Sequence, residues 1–229
     1  MTDGTETKAS EPAATHPPVP AIGLTLLTGI VSAIIALVIF AWLANDALRG
    51  EIWLFDNQLR AEIYKYSSPA LTYFMGNITA LGSGPVLTPL TACIALIFVL
   101  VGWRRSAILL AVTMLGVVLL NVMLKLSFQR ARPTPFFGIP APETYSFPSG
   151  HALASFCFYS MLAVLITIHI RSLALRILIW ATAVLLIAVV GFSRIYLGIH
   201  YPSDVLAGYS AAMVWVVVVI FGGRLLRRR

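Results

Sequence analysis

The feature that most constrains this chain is its succession of long apolar runs. They fall at roughly 21–44, 85–103, 106–126, 150–170, 173–194 and 204–223. A helix crosses the hydrocarbon core of a bilayer with about 20 residues at 1.5 Å each. Such a span must satisfy its backbone hydrogen bonds internally, so the runs are predicted to be helices. Composition agrees: 59% of the 229 residues are hydrophobic and 11% are charged, where soluble domains carry about 25% charged residues. The expected fold is all-α, an integral membrane bundle of six transmembrane helices.

The arginines set an expected orientation. A net charge of +7 would suit nucleic acid if it were gathered in a groove. Instead Arg104/Arg105 and Arg171/Arg176 sit in short connections, and Arg224, Arg227, Arg228 and Arg229 close the chain. That is a positive-inside pattern, so no nucleic-acid partner is expected. With six crossings both termini fall on the cytoplasmic side, and the segments 45–84, 127–149 and 195–203 on the outer face. Residues 1–20, polar and bearing four prolines, are expected to be a disordered cytoplasmic tail, followed by one membrane domain over 21–229. The first run is expected to be an uncleaved signal-anchor. Between 49 and 66, Ile52, Phe55, Leu59 and Ile63 recur at helical spacing among Arg49, Glu51, Asp56, Arg60, Glu62 and Lys65. This predicts an amphipathic helix lying in the outer interface. Residues 69–82 are short and hold Gly76 and Gly82, and are expected to be interfacial or re-entrant. Cys93 and Cys157 lie in apolar runs and are expected to stay free thiols. Oligomeric state is open.

Three polar clusters stand against this apolar background, all on the expected outer face. They read Lys125-(six residues)-Arg132-Pro133, Pro148-Ser149-Gly150-His151, and Ser193-Arg194-(five)-His200-(three)-Asp204. Ionisable groups beside a bilayer are costly and mark function. Pro148 and Gly150 suit a helix start, where free N–H groups and the helix dipole receive an anion. Proline after Arg132 restricts the backbone, and a guanidinium binds phosphate bidentately. Pro202 can start the last helix with Asp204 in its first turn. There Asp204 can accept from one ring nitrogen of His200 and leave the other as a nucleophile. Two other readings compete: Asp204 as a helix-end charge, or His151, His200 and Asp204 as metal ligands. The surrounding cations disfavour a metal. His16, His169, the Asn77-Ile78-Thr79 sequon and Asn121 are assigned no role, and Asn121 is expected to bond between helices.

Together the clusters resemble the signature of the type 2 phosphatidic acid phosphatase family, the lipid phosphate phosphatases. All eleven fixed positions of its KX6RP, PSGH and SRX5HX3D motifs are met in order and spacing. Size and layout are similar to the bacterial phosphatidylglycerophosphatase-type members. The resemblance implies that His200 attacks phosphorus to form a phosphohistidine, Asp204 orients it, and His151 protonates the leaving alkoxide. Lys125, Arg132, Ser149, Gly150 and Arg194 would hold the phosphate. It implies hydrolysis of a lipid phosphate at the outer face of a bacterial plasma membrane, with no metal and no cofactor. Phosphatidylglycerophosphate, phosphatidic acid and undecaprenyl pyrophosphate are the candidate substrates. The rivals are a lipid phosphotransferase using the same phosphohistidine, an anion or phosphate-lipid transporter, and a haloperoxidase-like enzyme.

Overall fold

In the computed structural model, which describes residues 19–140 and 142–226, the chain forms eight helices and no strand among the described residues. These are α1 (Val19–Arg49), α2 (Trp53–Lys65), α3 (Pro69–Ile78), α4 (Gly84–Leu100), α5 (Arg104–Phe128), α6 (Gly150–Thr167), α7 (Leu173–Tyr196) and α8 (Pro202–Leu226). Most of the expected tail lies outside the described residues. Serine and proline set several helix starts. The Ser68 hydroxyl accepts the Leu71 amide at 3.3 Å ahead of Pro69, and Ser172 accepts that of Leu175 at 3.4 Å. Each such bond satisfies an N–H that the helix itself leaves orphaned.

Helices α1, α5, α6, α7 and α8 are long and apolar enough to cross a membrane. A sixth crossing forms if α3, the 3₁₀ turn Thr79–Gly82 and α4 count as one span bent by 48°. The protein is therefore a multi-pass membrane protein of the expected all-α kind. One detail differs from the sequence reading, which gave 85–103 a span of its own and set 69–82 apart. Helix α4 has only 17 residues, and Pro85 in its first turn breaks it from α3.

The bundle is built around α6. Its Leu153, Cys157, Phe158 and Met161 are fully buried, so this helix is apolar on every side and enclosed by α5, α7 and α8. Helix α1 packs along α8. The outer helices instead expose leucine, isoleucine and valine, which carries no penalty where the neighbour is lipid. Small residues let helices close up: a Cβ on Gly208 of α8 would stand 2.8 Å from the Ser149 carbonyl at the start of α6. At the opposite end of the bundle, Trp103 stacks on His169 at 3.7 Å, and Arg105 donates to the Gly223 carbonyl. Arg104, Arg105 and Arg224, three of the arginines that orient the chain, line one recess there. Cys93 and Cys157 are free thiols.

Helix α2 forms where expected, with apolar side chains turned outward as an interfacial helix requires. Trp53, Leu54 and Phe55 are exposed, while Asp56 and Arg60 are buried against the rest of the protein. The polar pair wins that face because it finds partners there.

Candidate active site

The 129–149 loop, the α7–α8 turn and the first turn of α6 meet around a cavity of about 310 Å³. Lys125, Arg132, Gly150, His151, Arg194 and His200 share its wall, as do Asn121 and Thr144. Six of the eight residues predicted from sequence thus come together, although they span 76 positions from Lys125 to His200. The remaining two stand one layer back. Ser149 is fully buried and caps α6, its hydroxyl accepting the Ala152 amide at 3.5 Å. Its own amide donates to the Asp204 carbonyl at 2.9 Å, which ties α6 to α8. Helix α6 begins at Gly150, so Pro148 precedes the cap instead of opening the helix. Asp204 is fully buried behind His200.

The tautomer of His200 follows from its neighbours. Arg132 Nη1 lies 3.0 Å from His200 Nε2, and a guanidinium can only donate, so Nε2 carries a lone pair. The proton is then on Nδ1, which faces Asp204 Oδ2 at 3.4 Å and Ser146 Oγ at 3.5 Å. Burial pushes the imidazole down to about 4, with Arg132 and Arg194 adding to the effect and Asp204 opposing it. His200 is therefore neutral near pH 7, its Nε2 lone pair accepting from Arg132 at the cavity wall. His151 stands across the same cavity, half-buried, and no described residue hydrogen-bonds its ring.

The electrostatics favour an anion. Among the described residues Lys125, Arg132 and Arg194 have no carboxylate partner; the four lysine and arginine ion pairs involve Arg49, Lys65 and Arg130. They are held by neutral groups instead. Lys125 donates to the Tyr145 carbonyl, Arg194 Nη1 to Thr79 Oγ1 at 2.9 Å, and Arg194 Nε is buried with no partner. Arg132 is fixed by Nε to the Thr144 carbonyl at 2.6 Å, Nη2 to Thr144 Oγ1 at 2.9 Å, and Nη1 to the Ile199 carbonyl at 3.1 Å. Burial holds its guanidinium below the usual value despite Asp204. Desolvated cations without counter-charges form a standing site for an oxyanion.

Several residues here escaped the sequence reading. Arg130 bridges Asp204 and Asp56 at 2.7 and 2.8 Å, and Ser146 donates to Asp204 Oδ2. Among the described residues Asn121 makes no interhelical side-chain bond: its Oδ1 is buried without a partner there, and a Cβ on Gly150 would stand 2.7 Å from it. The available signals were Asp56 and Arg60 four apart on a membrane-surface helix, and Asn121 one helical turn before Lys125.

The chain is similar to several known proteins. Phosphatidylglycerophosphatase B of Bacillus subtilis is 32% identical over 154 residues, covering 66% of this chain and 74% of that protein. An undecaprenyl-diphosphatase of Sulfolobus acidocaldarius is 29% identical over 120 residues, half of this chain and 54% of its own length. In three dimensions the chain resembles the crystal structure of the transmembrane PAP2-type phosphatidylglycerolphosphate phosphatase from Bacillus subtilis. The TM-score is 0.78 at 27% identity, over 86% of this chain and 98% of that one. The sequence model of the PAP2 superfamily matches residues 106–225, which contain every motif residue lining the cavity, and this membrane protein belongs to that superfamily.

Proposed function

We propose that the protein is a membrane lipid phosphatase that hydrolyses phosphate mono- or pyrophosphate esters of lipids through a phosphohistidine. The observation that carries this reading is His200 Nε2, deprotonated and accepting from Arg132 at the wall of a cavity whose three cations have no carboxylate partner among the described residues; Arg132 passing to a phosphoryl oxygen would free that lone pair for attack. The names of the relatives support a lipid phosphate as substrate, phosphatidylglycerophosphate or undecaprenyl pyrophosphate, and the motif resemblance adds phosphatidic acid.

The chemistry follows from these positions. Lys125, Arg132, Arg194 and the Gly150 N–H at the start of α6 bind the phosphoryl oxygens, with Ser149 holding that first turn in place. His200 Nε2 attacks phosphorus as the bond to the lipid oxygen breaks, and His151 delivers a proton to the departing alkoxide. Asp204 stabilises the positive charge that develops on the ring. His151, now neutral, takes a proton from water, whose oxygen attacks phosphorus. Phosphate leaves and the His200 lone pair is restored. Fixed cations supply the charge neutralisation that Mg²⁺ provides in other phosphoryl transfers, so no metal is required. The site faces the outer side of a bacterial plasma membrane with both termini cytoplasmic, following the arginine bias.

The test is inorganic phosphate release by detergent-purified protein in excess EDTA on the three lipids, beside His200→Ala. Release that disappears in the variant is the expected result. A reversible need for Mg²⁺, or full activity in His200→Ala, refutes the mechanism.

A further inference from the structure

We infer that Asp56, on α2, is a positioning residue for the reaction, acting on the His200–Asp204 pair through Arg130 and Ser203. This rests on the phosphatase reading above and adds a residue from outside the 106–225 family match.

The geometry is a closed relay. Arg130 divides its guanidinium between two fully buried carboxylates: Nη1 reaches Asp204 Oδ1 at 2.7 Å and Nη2 reaches Asp56 Oδ2 at 2.8 Å. Asp56 also accepts the Ser203 amide at 3.0 Å and the Ser203 hydroxyl at 2.5 Å, one residue before Asp204. Arg130 Nη1 donates to Ser203 Oγ at 2.8 Å, and its guanidinium lies over the Tyr201 ring at 4.2 Å. One turn further along α2, Arg60 donates to the carbonyls of Thr134 at 2.8 Å and Gly198 at 3.2 Å. Asp56 and Arg60 thus hold both chain segments that flank His200.

Charge balance explains why a second acid is needed. Asp204 must keep its negative charge to stabilise His200 when the imidazole becomes cationic. Arg130 bound to Asp204 alone would cancel that charge. Asp56 takes up part of the guanidinium, so the Asp56–Arg130–Asp204 triad keeps one net negative charge toward His200, while Arg60 bonds carbonyls and Asn57 instead of either carboxylate. A buried acid–base–acid triad is also costly to break in part, because removing one member leaves an uncompensated charge. The exposed Trp53, Leu54 and Phe55 seat the opposite face of α2 against lipid, so its buried acid is presented to the site from the membrane surface.

The test is steady-state kinetics of full-length Asp56→Asn and Asp56→Glu on a short-chain phosphatidic acid, with thermal midpoints in detergent. Glu62→Gln, an exposed change on the same helix, serves as control. Asp56→Asn keeps the shape and removes the charge. Its kcat should fall about 10- to 100-fold with KM within about threefold. Asp56→Glu should restore part of the rate, and Glu62→Gln should match wild type. Unchanged kcat in Asp56→Asn overturns the inference. So does a loss that only tracks the folded fraction, with normal kcat per folded molecule. If wild-type protein releases no phosphate from any lipid, the phosphatase reading fails on its own. The inference then stands or falls on the His200 imidazole ¹⁵N shifts, which Asp56→Asn must move and Glu62→Gln must not.

Discussion

Gly198→Ala tests the architecture of the nucleophile loop most directly. Gly198 has φ +73°, two residues before His200, and its carbonyl accepts Arg60. Alanine in that region costs about 1–2 kcal/mol. The added Cβ would lie 2.7 Å from the Phe136 backbone nitrogen and 2.8 Å from the Phe136 ring. That backbone nitrogen is bonded to the Leu197 carbonyl at 3.0 Å, so it can yield only by giving up the bond that joins the two loops. Overpacking of this kind costs about 1–3 kcal/mol, against about 0.5 kcal/mol returned by the stiffer unfolded chain. The net is about 1.5–4.5 kcal/mol loaded onto the loop carrying His200. At about 1.4 kcal/mol per tenfold, phosphate release should drop by about one to three orders of magnitude. The assay is initial-rate phosphate release, with the thermal midpoint measured by size exclusion after heating. Gly76→Ala is the control: nothing lies within 4 Å of its Cβ, and it sits inside α3 where alanine is favoured. A Gly198→Ala variant within threefold of wild-type rate and unshifted in midpoint would refute the steric argument.

Three further outcomes are expected. His200 should remain neutral on acidification through pH 6.5 and take its proton only towards pH 4. Because its folded value is depressed, its stability contribution is present above about pH 6.5 and is lost as pH falls towards about 4. Imidazole ¹⁵N NMR between pH 4 and 7 reads both states, and ordinary titration near 6.5 contradicts the burial argument. Arg132→Lys should lower kcat/KM by about 10²-fold with little change in folding, since a point charge cannot replace contacts to Thr144, Ile199 and His200 together; near-normal kinetics would sink it. Gly150→Ala should slow turnover by displacing the Asn121 amide, and adding Asn121→Ala should relieve the clash, giving a non-additive cycle. Additive effects would mean that the two residues do not press on each other.

Much of this was legible in the chain because the relevant physics is local. Apolar runs of membrane length declare helices whatever surrounds them. Pro202 marks a helix start through its own chemistry, and the motif spacings place Arg194, His200 and Asp204 at one helix-to-helix turn. What could not be read depends on which surfaces meet. Ile52, Phe55, Leu59 and Ile63 announced a helix at the membrane surface, but nothing local announced that Asp56 and Arg60 would be buried on its inner side, where Arg130, Ser203 and the Thr134 and Gly198 carbonyls receive them. Asn121 looked like a bond between helices, yet it reaches the cavity unpartnered. The sequence by itself determined a helical membrane protein with an anion-binding, histidine-bearing set of motifs. Only the tertiary structure decided that a helix outside those motifs shares the charge of Arg130 with Asp204. Burial makes a polar group seek partners, and only the folded chain decides where those partners stand.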